Sequence, residues 1–267
     1  MRHTRYLQNS FRVSWLSWLI LCLTLVFACP DPTAAEDQLT KQLQNLQIIT
    51  EEYPPISFTN KDGEVDGLAV EVVKEIMRRL NINQKIRVLP WARSYKEAIE
   101  GPNFVLFSVG RTRQRESLFN WAGSIFEMKS SFYAKKGSEI KISTLNDARK
   151  LASIGTYRDS YDEQFLRGKG FKNLDSANNN VLNMKKLMAG RLEVVTATNM
   201  SISSMLKRAG YSIDDVERLF TFLKVDNFIV FSKQIPLEIV NLWRQEFENI
   251  KDEGLLAKIQ KKWSPQP

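Results

Sequence analysis

Histidine and cysteine are almost missing from this sequence. Its 267 residues include one histidine and two cysteines, and all three precede residue 30, at His3, Cys22 and Cys29. The remainder of the chain therefore has neither imidazole nor thiol. This excludes from it a Ser-His-Asp triad, a cysteine nucleophile, a disulfide and the usual zinc ligands. Any chemistry there falls to carboxylates, Lys, Tyr or an added cofactor.

Clustered basic charge is also missing. The chain has 38 Lys and Arg against 30 Asp and Glu, a formal charge of +8, but these residues are spread along the sequence and mixed with one another. Nucleic-acid binding is expected to leave a basic patch or arm. The glycine spacings lack the GKS or GKT ending of a phosphate loop. We therefore expect no nucleic-acid partner, and an anionic ligand or a generally basic surface instead.

The first 35 residues have the pattern of a secretory signal peptide. Residues 14–28, SWLSWLILCLTLVFA, form an apolar run that is short for a membrane-crossing helix. Small residues at 33–35 suit cleavage, and positive charge precedes the run, at Arg2, Arg5 and Arg12. We therefore expect export to the periplasm.

A lipoprotein-type site at Cys29 is the alternative to simple cleavage. Phe27 and Pro30 match such a site poorly. The sequence therefore favours a soluble exported protein over a lipid-anchored one.

From Leu46 onward, strand-like and helix-like segments alternate. Such alternation predicts an α/β protein with parallel or mixed sheets covered by helices. Two strand-like crossings, near Ser131 and near Asn227, divide the chain into two predicted lobes, residues 36–129 with 228–267 and residues 130–227. Ligands of such folds bind outside the strand ends, so we expect a cleft between the lobes.

The stretch from Phe107 to Trp121, FSVGRTRQRESLFNW, carries the main candidate. A buried strand ends in Gly110, and three arginines follow it. We select Arg113, because a planar guanidinium holds a carboxylate through two parallel hydrogen bonds. The small Ser108 and Gly110 let a ligand approach the backbone. The other two, Arg111 and Arg115, are expected at the surface.

Other candidates also lie at strand ends. Tyr53 is held extended by the following prolines, and Trp91 comes just after a strand. Thr156 and Tyr157 precede a helix start, which is an anion-binding position. Ser160 has capping-box spacing to Glu163 and is expected to serve its own helix.

These segments together resemble the family 3 periplasmic solute-binding proteins, known for amino-acid import. The likeness covers about 46–263 and rests on YPPISF, GEVDGLAVEVVKEIMRRL, VLPWARSYKEAIEG, AGRLEVV and DEGLLAKIQKKW, in that order. It implies a two-lobed periplasmic-binding-protein fold of type II, in which two hinge crossings join lobes built on mixed, mostly parallel sheets. It also implies a monomer that passes its ligand to an inner-membrane ABC permease.

The resemblance also assigns site residues. Arg113 matches the arginine that holds the ligand's α-carboxylate, and Ser108 matches a serine that assists it. Thr156 and Tyr157 match the carboxylate loop of the second lobe. The side-chain pocket is implied at Tyr53, Trp91 and Trp121.

One position departs from the family pattern. Amino-acid binders commonly place there an aspartate that holds the ligand's ammonium, whereas this chain has Thr198. An unpaired ammonium in a closed cleft costs several kcal/mol, on the order of 3 or more. We expect Glu52 or Asp226 to serve it; otherwise the ligand has no α-amino group.

Three hypotheses follow. The first is a non-enzymatic periplasmic protein that captures a small polar, carboxylate-bearing solute, without metal or cofactor, for an ABC importer. The second is an enzyme on the same scaffold, resembling cyclohexadienyl dehydratase, with a cleft acid such as Glu52. The third is a ligand-sensing module that docks on a membrane receptor.

Overall fold

The structure is a computed structural model that describes residues 32–264. The predicted signal segment up to residue 31, with Cys29, lies outside the described residues. The chain divides into two units, 1–41 and 42–267, and helix α1 (Pro32–Gln44) crosses that boundary. Between residues 32 and 264, no helix is both long enough and apolar enough to span a membrane.

Ten strands and eight further helices make up the described part of the second unit. The strands are β1 (Gln47–Thr50), β2 (Phe58–Thr59), β3 (Val65–Asp66), β4 (Arg87–Val88), β5 (Phe104–Gly110), β6 (Phe119–Lys135), β7 (Ile154–Tyr157), β8 (Leu174–Ala177), β9 (Val194–Thr198) and β10 (Val216–Ser232). The helices are α2 (Leu68–Arg79), α3 (Trp91–Glu100), α4 (Leu145–Arg149), α5 (Tyr161–Gly168), α6 (Asn180–Met188), α7 (Ile202–Ala209), α8 (Leu237–Asp252) and α9 (Leu255–Trp263).

Eight strands form one continuous mixed sheet, in the order β4-β1-β5-β10-β6-β9-β7-β8. The pairs near its two edges are parallel, β4 with β1, β1 with β5, β9 with β7 and β7 with β8. The three central pairs are antiparallel. We call β4, β1 and β5 the first side of the sheet and β9, β7 and β8 the second side. The predicted mixed α/β fold is confirmed.

The two sides are joined through the long central strands β6 and β10, each of 17 residues. Ser131 and Asn227, where the sequence predicts crossings, lie inside these strands. Register shifts interrupt the pairing at several points of β10, and such bulges bend a ladder locally. The lobe boundaries at 129/130 and 227/228 stay a prediction, because nothing tests them.

Helix α2 illustrates how the sequence pattern sets the packing. Its apolar residues recur at helical spacing, so Val72, Val73 and Ile76 share one face and are fully buried. Arg78 and Arg79, on the polar face, pair with Glu75. The buried face of α2 packs on the first side of the sheet, against β5.

Candidate functional site

A small pocket lies where β1, β5, β7 and β9 end. Glu51 directly follows β1, Ser108 lies near the end of β5, Tyr157 ends β7 and Thr198 ends β9. The full lining comprises Glu51, Tyr53, Trp91, Ser108, Met128, Tyr157, Ser160, Tyr161, Asp162, Asn180, Thr196, Ala197 and Thr198. Both sides of the sheet contribute to this inner pocket. In open α/β folds, ligands commonly bind in the crevice outside the carboxyl ends of the strands, and this pocket has that position.

The inner pocket is narrow and joins a larger outer pocket. It holds about 30 Å³, room for roughly two water molecules. The outer pocket, of about 280 Å³, shares Tyr53, Tyr157 and Asn180 with it. A bound solute larger than water therefore requires the two sides to separate or these tyrosines to move.

Five of the eight residues selected from the sequence line this pocket: Tyr53, Trp91, Ser108, Tyr157 and Thr198. Thr156 is buried just behind it, where its hydroxyl donates to Glu163 Oε1 at 3.2 Å. Trp121 is buried in the core against Phe119 and Phe228. Thr156 and Trp121 thus serve packing in this structure.

Arg113, which the sequence predicts to hold the ligand's carboxylate, lies outside the inner pocket. Its side chain is exposed and lines a separate groove of about 460 Å³ that also contains Arg111, Lys169 and Lys224. The chain turns after Gly110, and the Arg115 N–H donates to the Thr112 carbonyl at 3.0 Å. This turn directs Arg113 outward. Side chains alternate between the two faces of a sheet only within a strand, and β5 ends at Gly110. Distance from the strand end therefore does not show which of the three arginines points inward.

Arg115, predicted at the surface, is the inward arginine and is 0% exposed. Its Nε donates to Gln164 Oε1 and its Nη2 to the Asp159 carbonyl, both at 2.9 Å, so it bridges the first side to the second. Its Cζ lies 5.1 Å from the Trp91 ring centroid, and such stacking favours a buried guanidinium. Its Nη1 is buried and has no hydrogen-bond partner among the described residues.

Two acids that the sequence reading did not select line the inner pocket. Glu51 is 7% exposed and its Oε2 has no partner among the described residues. Asp162 is 6% exposed and accepts a hydrogen bond of 2.5 Å from Ser130 Oγ. The acids expected from the sequence lie elsewhere, since Glu52 pairs with Arg208 at 2.9 Å and Asp226 is exposed.

Burial shifts the titration of both acids. Desolvation raises the pKa of Glu51 to about 8, although a hydrogen bond from Tyr157 and the charge of Arg115 oppose the rise. Desolvation likewise raises the pKa of Asp162 to about 6, against the Ser130 hydrogen bond and the same arginine. A buried carboxyl group without a full counter-charge holds its proton in this way. An added cation would therefore be favoured at both acids.

Ser108 has an unusual backbone conformation. Its φ is 65°, in the left-handed region, and the pairing of β5 with β10 shifts register at this residue. Ser108 is the extra residue of a β-bulge, and the bulge turns its side chain into the pocket. The hydroxyl is buried without a partner among the described residues. Strain of this kind at a non-glycine residue is typical of functional sites.

Four contacts, in addition to the Arg115 bridge and the hydrogen bond from the Trp91 N–H to the Tyr157 hydroxyl, join the two sides around the pocket. The Tyr53 hydroxyl accepts from Ser201 Oγ at 2.8 Å and lies 3.2 Å from Thr198 Oγ1. Ser204 Oγ donates to the Pro54 carbonyl at 2.5 Å. The other two are the Arg208–Glu52 ion pair and the hydrogen bond from Trp91 Nε1 to the Asp159 carbonyl. These contacts hold the cleft closed.

Ser160 combines the role predicted for it with a place in the pocket. Its hydroxyl accepts from the Glu163 N–H at 3.1 Å and caps α5, as the capping-box spacing predicts. It also lines the inner pocket. Throughout residues 32–264, no group of three or more His, Cys, Asp or Glu is placed to hold a metal ion.

Solved structures with a similar backbone define the class of fold. A histidine kinase sensor domain with similarity to periplasmic binding proteins superposes with a TM-score of 0.75 at 15% identity, over 83% of this chain and 96% of that one. An ancestral arginine-binding protein bound to arginine gives 0.71 at 19% identity, over 84% and 100%. The chain thus has the two-lobed periplasmic-binding-protein fold.

The sequence comparison is more specific. The family model of the bacterial extracellular solute-binding proteins, family 3, matches residues 46–266, and the chain belongs to this family. It is 22% identical to the arginine-binding periplasmic protein of Mannheimia haemolytica, over 90% of this chain and 96% of that protein. It is 24% identical to the histidine-binding periplasmic protein of Escherichia coli strain K12, over 58% and 60%.

Proposed function

We propose that this protein is a periplasmic, non-enzymatic binding protein for an amino acid or a closely related small solute. The observation that carries the proposal is the inner pocket, which both sides of the sheet line and which contains unpartnered buried oxygens of Glu51 and Ser108. Unpartnered polar atoms are costly in a closed site, and a polar ligand would satisfy them. The binding activities named for the arginine and histidine relatives support this ligand class.

The ligand's carboxylate is assigned to Arg115 in place of Arg113. Arg115 is buried directly behind two residues of the lining, Trp91 and Tyr161, and its Nη1 has no partner among the described residues, whereas Arg113 is exposed in a separate groove. Ser108 is a second donor, because it lines the inner pocket and its buried hydroxyl has no partner among the described residues. Tyr53, Tyr157 and Thr198 complete the polar wall, and Trp91 supplies an apolar one.

Solute delivery is assigned to an inner-membrane ABC permease. Membership of the family supports this partner, and the contacts across the cleft support a closed form that a permease can distinguish from an open one. A membrane receptor that senses the loaded form is the competing partner. Pull-down of ligand-loaded protein from solubilised membranes separates the two, because each partner brings a different membrane protein.

Isothermal titration of the purified protein against the common amino acids tests the proposal. We expect at least one to bind with a dissociation constant in the micromolar range or below. The proposal is overturned if no amino acid at millimolar concentration produces either a heat of binding or a thermal stabilisation of the protein.

An enzyme on this scaffold is the second candidate, and one observation favours it. Burial raises the pKa of Glu51 to about 8, so this acid carries a proton at neutral pH inside a pocket. A protonated acid suits elimination of water, as in cyclohexadienyl dehydratase. The acid with this environment is Glu51, whereas the sequence hypothesis names Glu52. Incubation with prephenate and arogenate decides it, because unchanged substrate removes this candidate.

A further inference from the structure

The charged groups around the inner pocket do not balance. Glu51 and Asp162 are the two carboxyl groups in its lining, and the lining contains no Lys or Arg. Arg115, behind Trp91 and Tyr161, is the charged partner that both acids share. If both acids were ionised, this part of the described structure would carry one more negative charge than positive, so Glu51 keeps its proton until a second cation arrives.

Other nearby charges are already paired. Glu163, which follows Asp162, forms an ion pair of 3.1 Å with Arg167. At the outer pocket, Glu52 pairs with Arg208. Neither pair leaves a cation for Glu51 or Asp162. The excess negative charge is thus confined to these two acids.

The two acids approach the pocket from opposite sides. Glu51 follows β1 on the first side, and Asp162 lies in the first turn of α5 on the second side. Glu51 Oε2 is buried and unpartnered, so it is available to a ligand donor. Asp162 keeps one hydrogen bond, from Ser130 to its Oδ1. A cationic group between the acids would contact both sides of the cleft.

Thr198 does not compete for this role. Its hydroxyl lies 3.2 Å from the Tyr53 hydroxyl and 2.9 Å from Ser201 Oγ, so it is engaged in holding the two sides together. A hydroxyl also carries no charge to offset an ammonium. Recognition of a cation therefore falls to the acids in the lining.

Resting on the proposed function, we propose that Glu51 and Asp162 form a two-carboxyl cation site that selects solutes with one net positive charge. Such a solute has one carboxylate for Arg115 and two cationic groups for the two acids. Basic amino acids have this charge pattern, whereas neutral amino acids leave one acid without a partner. Glu51 then keeps its proton, so a neutral ligand forms one ion pair with the two acids where a cationic ligand forms two, and it binds more weakly.

Titration calorimetry with matched ligands tests this selectivity on the wild-type protein. The pairs are L-arginine with L-citrulline and L-lysine with L-norleucine, which differ mainly in the side-chain charge. We expect the cationic member of at least one pair to bind at least thirtyfold more tightly. Agmatine, which lacks the carboxylate, is expected to bind more weakly than arginine.

Variants of the two acids test whether these residues cause the preference for cationic ligands. Glu51→Gln and Asp162→Asn keep the size and one hydrogen-bonding oxygen of each acid, and each is expected to reduce the preference for the cationic ligand to fivefold or less. The exposed Glu64→Gln and Asp226→Asn are the controls and should keep the full preference. If a variant does not fold, the matched ligand pairs measured on the wild-type protein still test the selectivity.

The outcomes separate the two proposals. Equal binding of charged and neutral ligands overturns the cation site and leaves the solute-binding function in place. A preference that persists in both Glu51→Gln and Asp162→Asn also overturns it. Absence of binding by every amino acid overturns the proposed function, and the cation site with it.

Discussion

The inner pocket and the groove around Arg113 both carry charged residues, but in opposite environments. The groove contains Arg111, Arg113, Lys169 and Lys224, open to water, where charges are screened and contribute little. Around the inner pocket Arg115, Glu51 and Asp162 are almost completely buried. The difference teaches that the abundant surface cations say little about the ligand, and that the proposed charge selection rests on three buried groups.

Replacement of the arginines is the strongest way to sharpen this contrast. We expect Arg115→Met to lower the free energy of unfolding by about 3 kcal/mol, because Glu51 and Asp162 lose their counter-charge and the bridge to Asp159 is lost. It should also abolish ligand binding. Arg113→Met is the control, expected to change stability by about 0.5 kcal/mol or less. Denaturant unfolding measures both variants. Similar losses of unfolding free energy would contradict the difference between the buried and the exposed arginine.

The pH dependence of stability tests the buried acids next. The folded state raises the pKa of Glu51 from 4.5 to about 8, so between these values the folded protein binds more protons than the unfolded chain. The contribution of Glu51 is therefore fully present below about pH 4.5 and is lost as the pH rises through about 8. Its loss amounts to a few kcal/mol, on the order of 2 to 4.

Glu51→Gln isolates this effect, because a glutamine does not titrate. The groups that face Glu51 are Tyr157, Arg115 and Tyr53, and the tyrosines stay neutral because burial raises the pKa of both. We expect the variant to lose less stability than the wild type between pH 5 and pH 8, measured by denaturant unfolding at each pH. Parallel curves for the two proteins would contradict the assignment.

Removal of the Tyr53 hydroxyl has a smaller expected effect. Tyr53→Phe loses the hydrogen bonds to Ser201 and Thr198 that join the two sides, so the closed form is less favoured. A loss of about 1 kcal/mol corresponds to roughly fivefold weaker ligand binding. Tyr211→Phe, at an exposed position, is the matched control. Calorimetry measures both, and an unchanged affinity for Tyr53→Phe would show that this contact does not contribute to closure.

The smallest effect concerns Ser108. Glycine adopts a φ of 65° without strain and alanine does not, so Ser108→Gly is expected to be more stable than Ser108→Ala by about 1 kcal/mol. Both variants lack the hydroxyl and should weaken ligand binding to a similar extent. Thermal unfolding and calorimetry provide the two readouts. Equal stability of the two variants would mean that the bulge relaxes at this residue.

Most of the fold could be predicted because its signals are local. Apolar residues at helical spacing in α2 and apolar runs in β1 and β5 are read directly from short windows. The two crossings near Ser131 and Asn227 were predicted as separate strands. Their pairing as long neighbours in one sheet depends on contacts between distant segments, which short windows do not contain.

The site could be predicted only where it follows strand ends. Tyr53 and Tyr157 follow that rule and line the pocket, and Thr198, which also lines it, comes from the comparison with the family pattern. Arg115 was missed because a turn after β5 decides which arginine is buried. The start of α5 has the pattern of a helix cap and of an anion-binding position, and neither pattern indicates a pocket acid at Asp162. Its burial depends on Ser130, which is distant in sequence.

The central pair of strands also limits how the molecule can move. Because β6 and β10 are hydrogen-bonded neighbours over most of their length, sliding one past the other would break many bonds at once. Flexing at the register shifts, such as the one between Asn227 and Phe228, breaks few. The fold therefore favours bending at these irregular positions over sliding of the two strands.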